Sequence, residues 1–427
     1  MFFSVVYTIA LHLFALLMIP SFLYGRIRYR KYQKSFSCRM GKHFPQIDKQ
    51  GRFLIWVHAV SVGETSAVAP LVKKMKKSLP DAIIVFSNIT ETGHDEALKS
   101  IKEADYHLFL PFDLPYIIRP IVQQVKPDLV ILTETDFWFH FQDAAKDCGA
   151  KIVVVNGKIS RRSLKRYRML PWFTAPLFQS LDLVCVQSEA YRKRFINLAI
   201  PPDHLIVTGN LKLDDTYAEA SKEELASWKE KLGIEQNDKI LVIGSSHDPE
   251  EKLLLSQLKK VWKKMPELKV FLVPRHPERC RAVEAILRKQ KVSFALWSRE
   301  EKFDKMTHLL LVDAMGVLRK LYQLGDLAIV AGSYTSRIGG HNLLEPSWYG
   351  KPVIYGPYVY AQKNLNELLK QKGASTQVPI DALADTIVHL FSDKELMDRM
   401  GRHGKEIFEE AKGATDKTWE EIRQILP

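Results

Sequence analysis

The sequence predicts an α/β protein with two doubly wound, Rossmann-like domains behind an N-terminal membrane-anchor helix. Three observations carry this. A charge-free apolar run opens the chain, β-branched runs alternate with amphipathic stretches from residue 52 onward, and a polar segment interrupts that alternation midway. Parallel strands covered by helices on both faces read as continuous apolar runs. Length agrees, since 427 residues exceed one ordinary core and suggest two domains of roughly 200 residues.

Residues 1–25, MFFSVVYTIALHLFALLMIPSFLYG, hold no charged side chain. As a helix they would cover ~36 Å, enough to cross a hydrocarbon core of ~30 Å. His12 and Pro20 leave open a helix lying in the interface instead. A cleaved signal peptide fits worse, because no basic residue precedes the apolar run and no small-residue cleavage site follows it. Arg26, Arg28, Arg30, Lys31, Lys34, Arg39 and Lys42 come next, with no acid before Asp48. By the positive-inside rule this flank stays in the cytoplasm, and everything after it follows. Near anionic headgroups such residues contribute about 1 kcal/mol each.

In the first half the apolar runs are 53–60, 82–88, 128–134, 151–157, 182–188 and 205–210, separated by helical patterns such as TSAVAPLVKKMKKSLP. Residues 215–238 are polar, and the alternation restarts at 239–246, 269–275, 309–315, 327–333 and 352–357. Repeated βα units imply a doubly wound sheet in each half. The expected domains are the anchor 1–25, an N-terminal domain 26–214 and a C-terminal domain 215–427, facing each other across a cleft. The helical stretches from about 381 pack on the second domain or cross back to the first.

Most runs end in small or reactive groups: Ser61 to Glu64, Glu134, Asn156-Gly157, Ser188, Asn210 and Lys212, Ser245 to His247, Arg275-His276. Ligands of open α/β sheets bind outside the carboxyl ends of the strands. Turn preference explains Gly, Ser and Asn there. It does not explain recurring Glu, Lys, Arg and His.

Composition narrows the function class. A formal net charge of +13 asks for an anionic partner, whether nucleic acid, membrane or a phosphorylated substrate. The basic residues concentrate beside the apolar run and no nucleic-acid signature is present, so a nucleic-acid partner is not expected. Cys38, Cys148, Cys185 and Cys280 lie far apart, which suits reduced thiols rather than zinc or disulfides. No G-x-G-x-x-G follows a strand, and no P-loop, H-E-x-x-H or D-x-D occurs. Neither a cofactor nor a metal is expected.

Nine motifs in order identify a family. HAVSVGE (58–64), TETDFW (133–138), VNGKISRRS (155–163), VQSEAYRKRF (186–195), VTGNLK (207–212), GSSH (244–247), VPRHPER (273–279), DAMG (313–316) and GGHNLLEP (339–346) span about 300 residues. The chain resembles the 3-deoxy-D-manno-octulosonic acid (Kdo) transferases. These are inverting GT-B glycosyltransferases of lipopolysaccharide core biosynthesis. The resemblance implies transfer of Kdo from the donor CMP-Kdo to a lipid A precursor of the lipid IVA type, a phosphorylated, acylated glucosamine disaccharide. It also implies the cytoplasmic face of the inner membrane.

Inversion needs a base to take the acceptor hydroxyl proton. Glu64 closes a Gly-containing loop at the start of a helix, and the resemblance puts the base there; helix-dipole preference alone is the plainer reading. By resemblance Glu134 and Lys212 stabilise the transition state, although a surface ion pair would look the same in sequence. Donor contacts are carried onto Pro274 and Arg275, onto Met315, Gly316 and Val317, and onto Asn342, Leu343, Leu344 and Glu345. Gly339-Gly340 should leave amides exposed before the helix that follows.

The family usually has Glu where Val317 stands, Glu where Asp136 stands, and Pro-Asn where Phe139-His140 stand. The segment 161–173 interleaves Arg161, Arg162, Lys165, Arg166 and Arg168 with Leu164, Tyr167, Leu170, Trp172 and Phe173. It would seat acceptor phosphates while its apolar residues touch lipid, unless it is a solvated helix face. The alternatives are another GT-B sugar-nucleotide enzyme (an epimerase or a different lipid glycosyltransferase) and a non-catalytic nucleotide-binding protein.

Overall fold

The computed structural model describes residues 2–29, 35–135, 137–198, 200–214, 218–299, 302–304, 306–360 and 363–426. Arg30, Lys31, Lys34 and Asp136 lie outside these residues, as do the side chains of 21–29 and of Phe173. The chain divides into two units, Met1–Asp215 with Ala411–Pro427, and Thr216–Glu410.

Unit 1 is built on β1 (Leu54–His58), β2 (Ile83–Asn88), β3 (Tyr106–Phe109), β4 (Leu129–Thr133), β5 (Lys151–Gly157), β6 (Leu183–Val186) and β7 (Leu205–Val207). They pair in parallel in the order β3-β2-β1-β4-β5-β6-β7. Successive strand residues point to opposite faces, so Leu54 and Trp56 enter one core layer while Ile55 and Val57 enter the other. The chain winds outward from β1 in one direction and from β4 in the other. The neighbouring pair β1/β4 is therefore the topological switch point.

Unit 2 repeats this plan with β8 (Lys239–Ser246), β9 (Leu268–Pro274), β10 (Phe294–Leu296), β11 (Leu309–Leu311), β12 (Leu327–Val330), β13 (Val353–Tyr355) and β14 (Ser375–Gln377). The parallel order is β10-β11-β9-β8-β12-β13-β14, with its switch point at β8/β12. Three strands were not expected from sequence: β3, β10 and β14. Each is an edge strand of three or four residues, too short to show a pattern.

The expectation that 215–427 forms one domain is corrected at its end. Helices Leu383–Ser392 and Lys394–Ala411 stay on unit 2 through Ile387, Leu390 and Met400. Helix Ala414–Ile425 returns to unit 1, where Trp419 and Ile422 are buried in its core. The Asp214 carboxylate accepts from Gly413 N (2.8 Å) and Thr415 N (2.6 Å), which caps that helix. Trp419 Nε1 donates to Ser78 Oγ at 3.0 Å.

The apolar run forms a single helix, Phe2–Tyr29, and its 3–20 segment is long and apolar enough to cross a membrane.

Candidate active site

In unit 1 the predicted residues gather at the β1/β4 switch point. β1 leads through Ser61 into helix Val62–Ser78, and Glu64 occupies its first turn. Its Oε2 accepts from Val60 N (2.7 Å) and its Oε1 from Ser61 Oγ (2.9 Å). These bonds fold the carboxylate back over the loop and fix its direction. Glu64 stays partly exposed at the strand end.

Glu134 follows β4 directly and is buried, 5% exposed. Its backbone takes φ 66°, a left-handed conformation rare outside glycine. Such strain, of order 1–3 kcal/mol, persists where surrounding contacts enforce it. Here they do. Glu134 N donates to Val155 O, Lys212 Nζ sits 2.9 Å from Oε1, and Lys158 Nζ sits 2.5 Å from Oε2. Burial works against the charged form, but the Lys212 and Lys158 ammonium groups outweigh it and hold this carboxyl below the usual range. The carboxylate thus pins two cations.

Asn156, also left-handed (φ 54°), is the penultimate residue of β5 and accepts from Leu211 N at 3.1 Å, which fixes the loop that carries Lys212. A Cβ placed on Gly63 would stand 3.8 Å from Lys212 Nζ, so this amino group lies against the Glu64 loop. Glu64, Glu134 and Lys212 are brought together.

In unit 2 the residues after β8 and β12 meet across the second switch point. Glu250, fully buried, accepts from Gly332 N and Tyr334 N (each 2.7 Å) and from His247 N (3.1 Å). Burial raises its carboxyl above the ordinary value. His247 Nε2 lies 2.7 Å from His341 Nε2, with the rings stacked. One nitrogen must carry the proton and the other accept it. Burial, then the neighbouring histidines and Arg275, push both imidazoles down to about 4, so the pair is neutral at pH 7.

The predicted donor contacts surround this centre unevenly. Pro274 is the buried last residue of β9, and Arg275 is exposed, its guanidinium without a hydrogen bond or ion pair among the described residues. Met315 is exposed, Gly316 is left-handed (φ 83°) with open space around it, and Val317 caps helix Leu318–Leu324. The side chains of Leu343 and Leu344 are buried, so a donor contact at these positions falls to their backbone.

The exposed-amide expectation is corrected for Gly340. Gly340 N donates to Gly332 O, and the helix beyond, Leu344–Trp348, has only five residues. Asn342 Oδ1 accepts from Leu344 N at 3.1 Å, which is a local cap. Glu345 lies 3.3 Å from the Arg319 guanidinium.

The 161–173 segment forms helix Arg161–Met169 and the start of helix Pro171–Gln179. Leu164 and Tyr167 pack on the unit 1 core, contrary to the expectation that they touch lipid. Met169, Leu170 and Trp172 do stand exposed. Tyr167, Arg168, Pro171, Thr174 and Asn197 line a cavity of ≈ 300 Å³ beside them.

A family model described as 3-Deoxy-D-manno-octulosonic-acid transferase (kdotransferase) matches residues 34–215. A 3-deoxy-D-manno-octulosonic acid transferase of Chlamydophila psittaci is 36% identical, over 96% of this chain and 93% of its own length. The transferase of that name from Haemophilus influenzae is 31% identical over 87% of each chain. The chain belongs to the Kdo transferase family.

It is therefore a glycosyltransferase, and its architecture is GT-B. A solved glycosyltransferase from Rickettsia africae aligns over 88% of this Kdo-transferase chain and 99% of its own, with TM-score 0.56 and 18% identity. A UDP-GlcNAc 2-epimerase from Neisseria meningitidis aligns over 87% and 100%, with TM-score 0.58 and 16% identity. These two show likeness of fold.

Sequence reasoning missed Lys158, Glu250 and His341. Lys158 had a signal: it follows Asn156-Gly157 at a strand end, as Lys212 follows Asn210-Leu211. Glu250 had none, because nothing in DPEEK separates a buried carboxylate from a solvated helix start.

Proposed function

We propose that this chain transfers Kdo from CMP-Kdo to a lipid A precursor, with inversion, at the cytoplasmic face of the inner membrane. The acceptor would be a phosphorylated, acylated glucosamine disaccharide, and the product would enter lipopolysaccharide core biosynthesis. The observation that carries the chemistry is the Glu134 carboxylate gripping Lys212 and Lys158 beside the Glu64 loop.

In this reading the acceptor hydroxyl attacks the anomeric carbon of Kdo and its proton passes to Glu64. The bond from that carbon to the CMP phosphate oxygen breaks on the opposite face, and the electron pair leaves with the phosphate. Lys212, with Lys158 behind it, opposes the charge that grows there. Their positions are set before reaction by Glu134, so little reorganisation is needed. Cations supplied by side chains serve the role that a metal takes in other phosphate chemistry.

Unit 2 supplies the donor site in this reading. Arg275 offers a planar fork for phosphate or a pyrimidine edge, the backbone of 315–317 and of Leu343 offers N–H groups, and Glu345 accepts from ribose hydroxyls. On unit 1, Arg162 and Arg166 face the acceptor phosphates and exposed Leu170 and Trp172 meet its acyl chains. Helix Phe2–Tyr29 holds the enzyme at the bilayer where that lipid resides.

The test is mass spectrometry of the glycolipid formed from CMP-Kdo and a lipid A precursor, with UDP-sugars as control. A mass gain of whole Kdo units is expected. Turnover of UDP-sugars without use of CMP-Kdo would replace this reading.

A further inference from the structure

The apolar N-terminal helix is not free of the protein it anchors. Its first three turns lie against unit 1. Tyr7, buried, donates its hydroxyl to Asp113 Oδ2 at 2.9 Å, and Thr8 Oγ1 lies 2.9 Å from His140 Nε2. Phe3 packs edge-on against Phe139 with ring centres 4.5 Å apart, and His12 Nε2 lies 3.1 Å from the Tyr116 hydroxyl. Phe139 and His140 are the pair that replaces Pro-Asn in the family pattern, and here both grip the helix.

Asp113 is itself built in. Its carboxylate is buried and also accepts from His140 N (3.2 Å) and Phe141 N (2.8 Å), at the start of helix Phe139–Asp147. Tyr7 thus completes a polar centre that organises unit 1.

Exposure along the helix follows this contact. Phe3, Ser4, Tyr7, Thr8 and Leu11 are covered to varying degrees, whereas Val5 and Ile9 stand out on the far side, and 12–20 are exposed throughout. Beyond the docked part, the uncharged stretch 13–25 has thirteen residues before Arg26. As a helix it reaches ~20 Å, short of the ~30 Å hydrocarbon core. Spanning would need the first three turns as well, and those are committed to Asp113, His140 and Tyr116.

We propose that the docked helix makes this a monotopic enzyme: the helix enters one leaflet from the cytoplasmic side, and its N-terminus stays on the same face as both units. The partner is a bilayer leaflet with anionic headgroups. The stripe Val5–Ile9–Leu13 with Phe14 and Leu17 enters the acyl region, and the basic composition of the sequence at 26–34 favours anionic headgroups nearby. This rests on the membrane reading above and adds its topology.

The experiment uses the full chain with an N-terminal epitope tag. Tag digestion by added protease is followed in sealed spheroplasts and in inside-out vesicles. Digestion in inside-out vesicles alone is expected. Digestion in spheroplasts, with the enzyme in the membrane fraction, would overturn the monotopic topology and leave anchoring intact. Recovery of the full chain in the soluble fraction would remove the anchoring reading itself. The double variant Tyr7→Phe, Thr8→Val lengthens the apolar run and removes both polar latches. Its tag should become digestible in spheroplasts in a measurable fraction of molecules. A tag that stays inside would show that these latches do not hold the helix.

Discussion

Glu64 and Glu134 differ in environment, and that difference assigns them different work. Glu64 is partly exposed and held by Val60 N and Ser61 Oγ, while both oxygens of buried Glu134 are taken by lysines. Glu64→Gln keeps the loop contacts that a carbonyl oxygen can accept but removes the carboxylate that takes the proton in the proposed reaction. Turnover should fall roughly 10²–10⁴-fold with the circular-dichroism spectrum unchanged; near-normal kcat would remove Glu64 from that role. Glu134 is held below its ordinary value of 4.5, so its ion pairs stabilise the fold above that pH and are lost as pH falls through the folded value. Glu134→Gln should cost about 2 kcal/mol near pH 7, discounted for the partly exposed lysines. The gap in Tm from wild type should narrow below pH ~4.5. A gap independent of pH would mean that Glu134 is not ionised in the fold. The sequence displayed Glu64, Glu134 and Lys212 through strand-end position, yet it could not display that Glu134 takes a second lysine, because that depends on adjacent β4 and β5 ends.

Element order was legible wherever burial on two faces made a strand wholly apolar. Central β1, β4 and β9 are buried along their length, as is β8 from Ile240 to Gly244. The strands missed lie at edges, where one neighbour is absent and the hydrophobic demand is lower. The last helix was ambiguous because its amphipathic pattern says that one face is buried, not against what. Its partner is the unit 1 core, so Trp419→Ala should destabilise the protein by about 3–5 kcal/mol. Hydrogen exchange should rise in unit 1 while unit 2 stays protected; loosening of both units alike would contradict this. On helix Arg161–Met169, where no residue is buried, reversing Arg162 and Arg166 to Glu should raise the KM for the lipid acceptor and leave the KM for CMP-Kdo unchanged. An unchanged lipid KM would make this helix a solvated face.

As a whole molecule the protein joins a basic chain, net charge +13, to two sheets whose switch points each gather charged or titratable groups at strand carboxyl ends. Unit 1 contributes carboxylates and lysines, which suit proton removal and stabilisation of a departing phosphate. Unit 2 contributes the exposed Arg275 guanidinium and a neutral histidine pair, which suit a nucleotide. The apolar helix adds a segment long and apolar enough to meet a bilayer. The motifs made the family visible in sequence, while the returning helix and the docked N-terminal helix needed coordinates, since both arise from contacts over more than a hundred residues of chain. The most direct measurement is a single-turnover assay of the purified full chain with CMP-Kdo and a lipid A precursor, analysed by mass spectrometry for wild type and Glu64→Gln. Wild type should yield the Kdo-bearing glycolipid with release of CMP, and the variant should bind CMP-Kdo while forming product at least about 100-fold more slowly. Equal rates in the two proteins, or no Kdo-bearing product from wild type, would contradict the account.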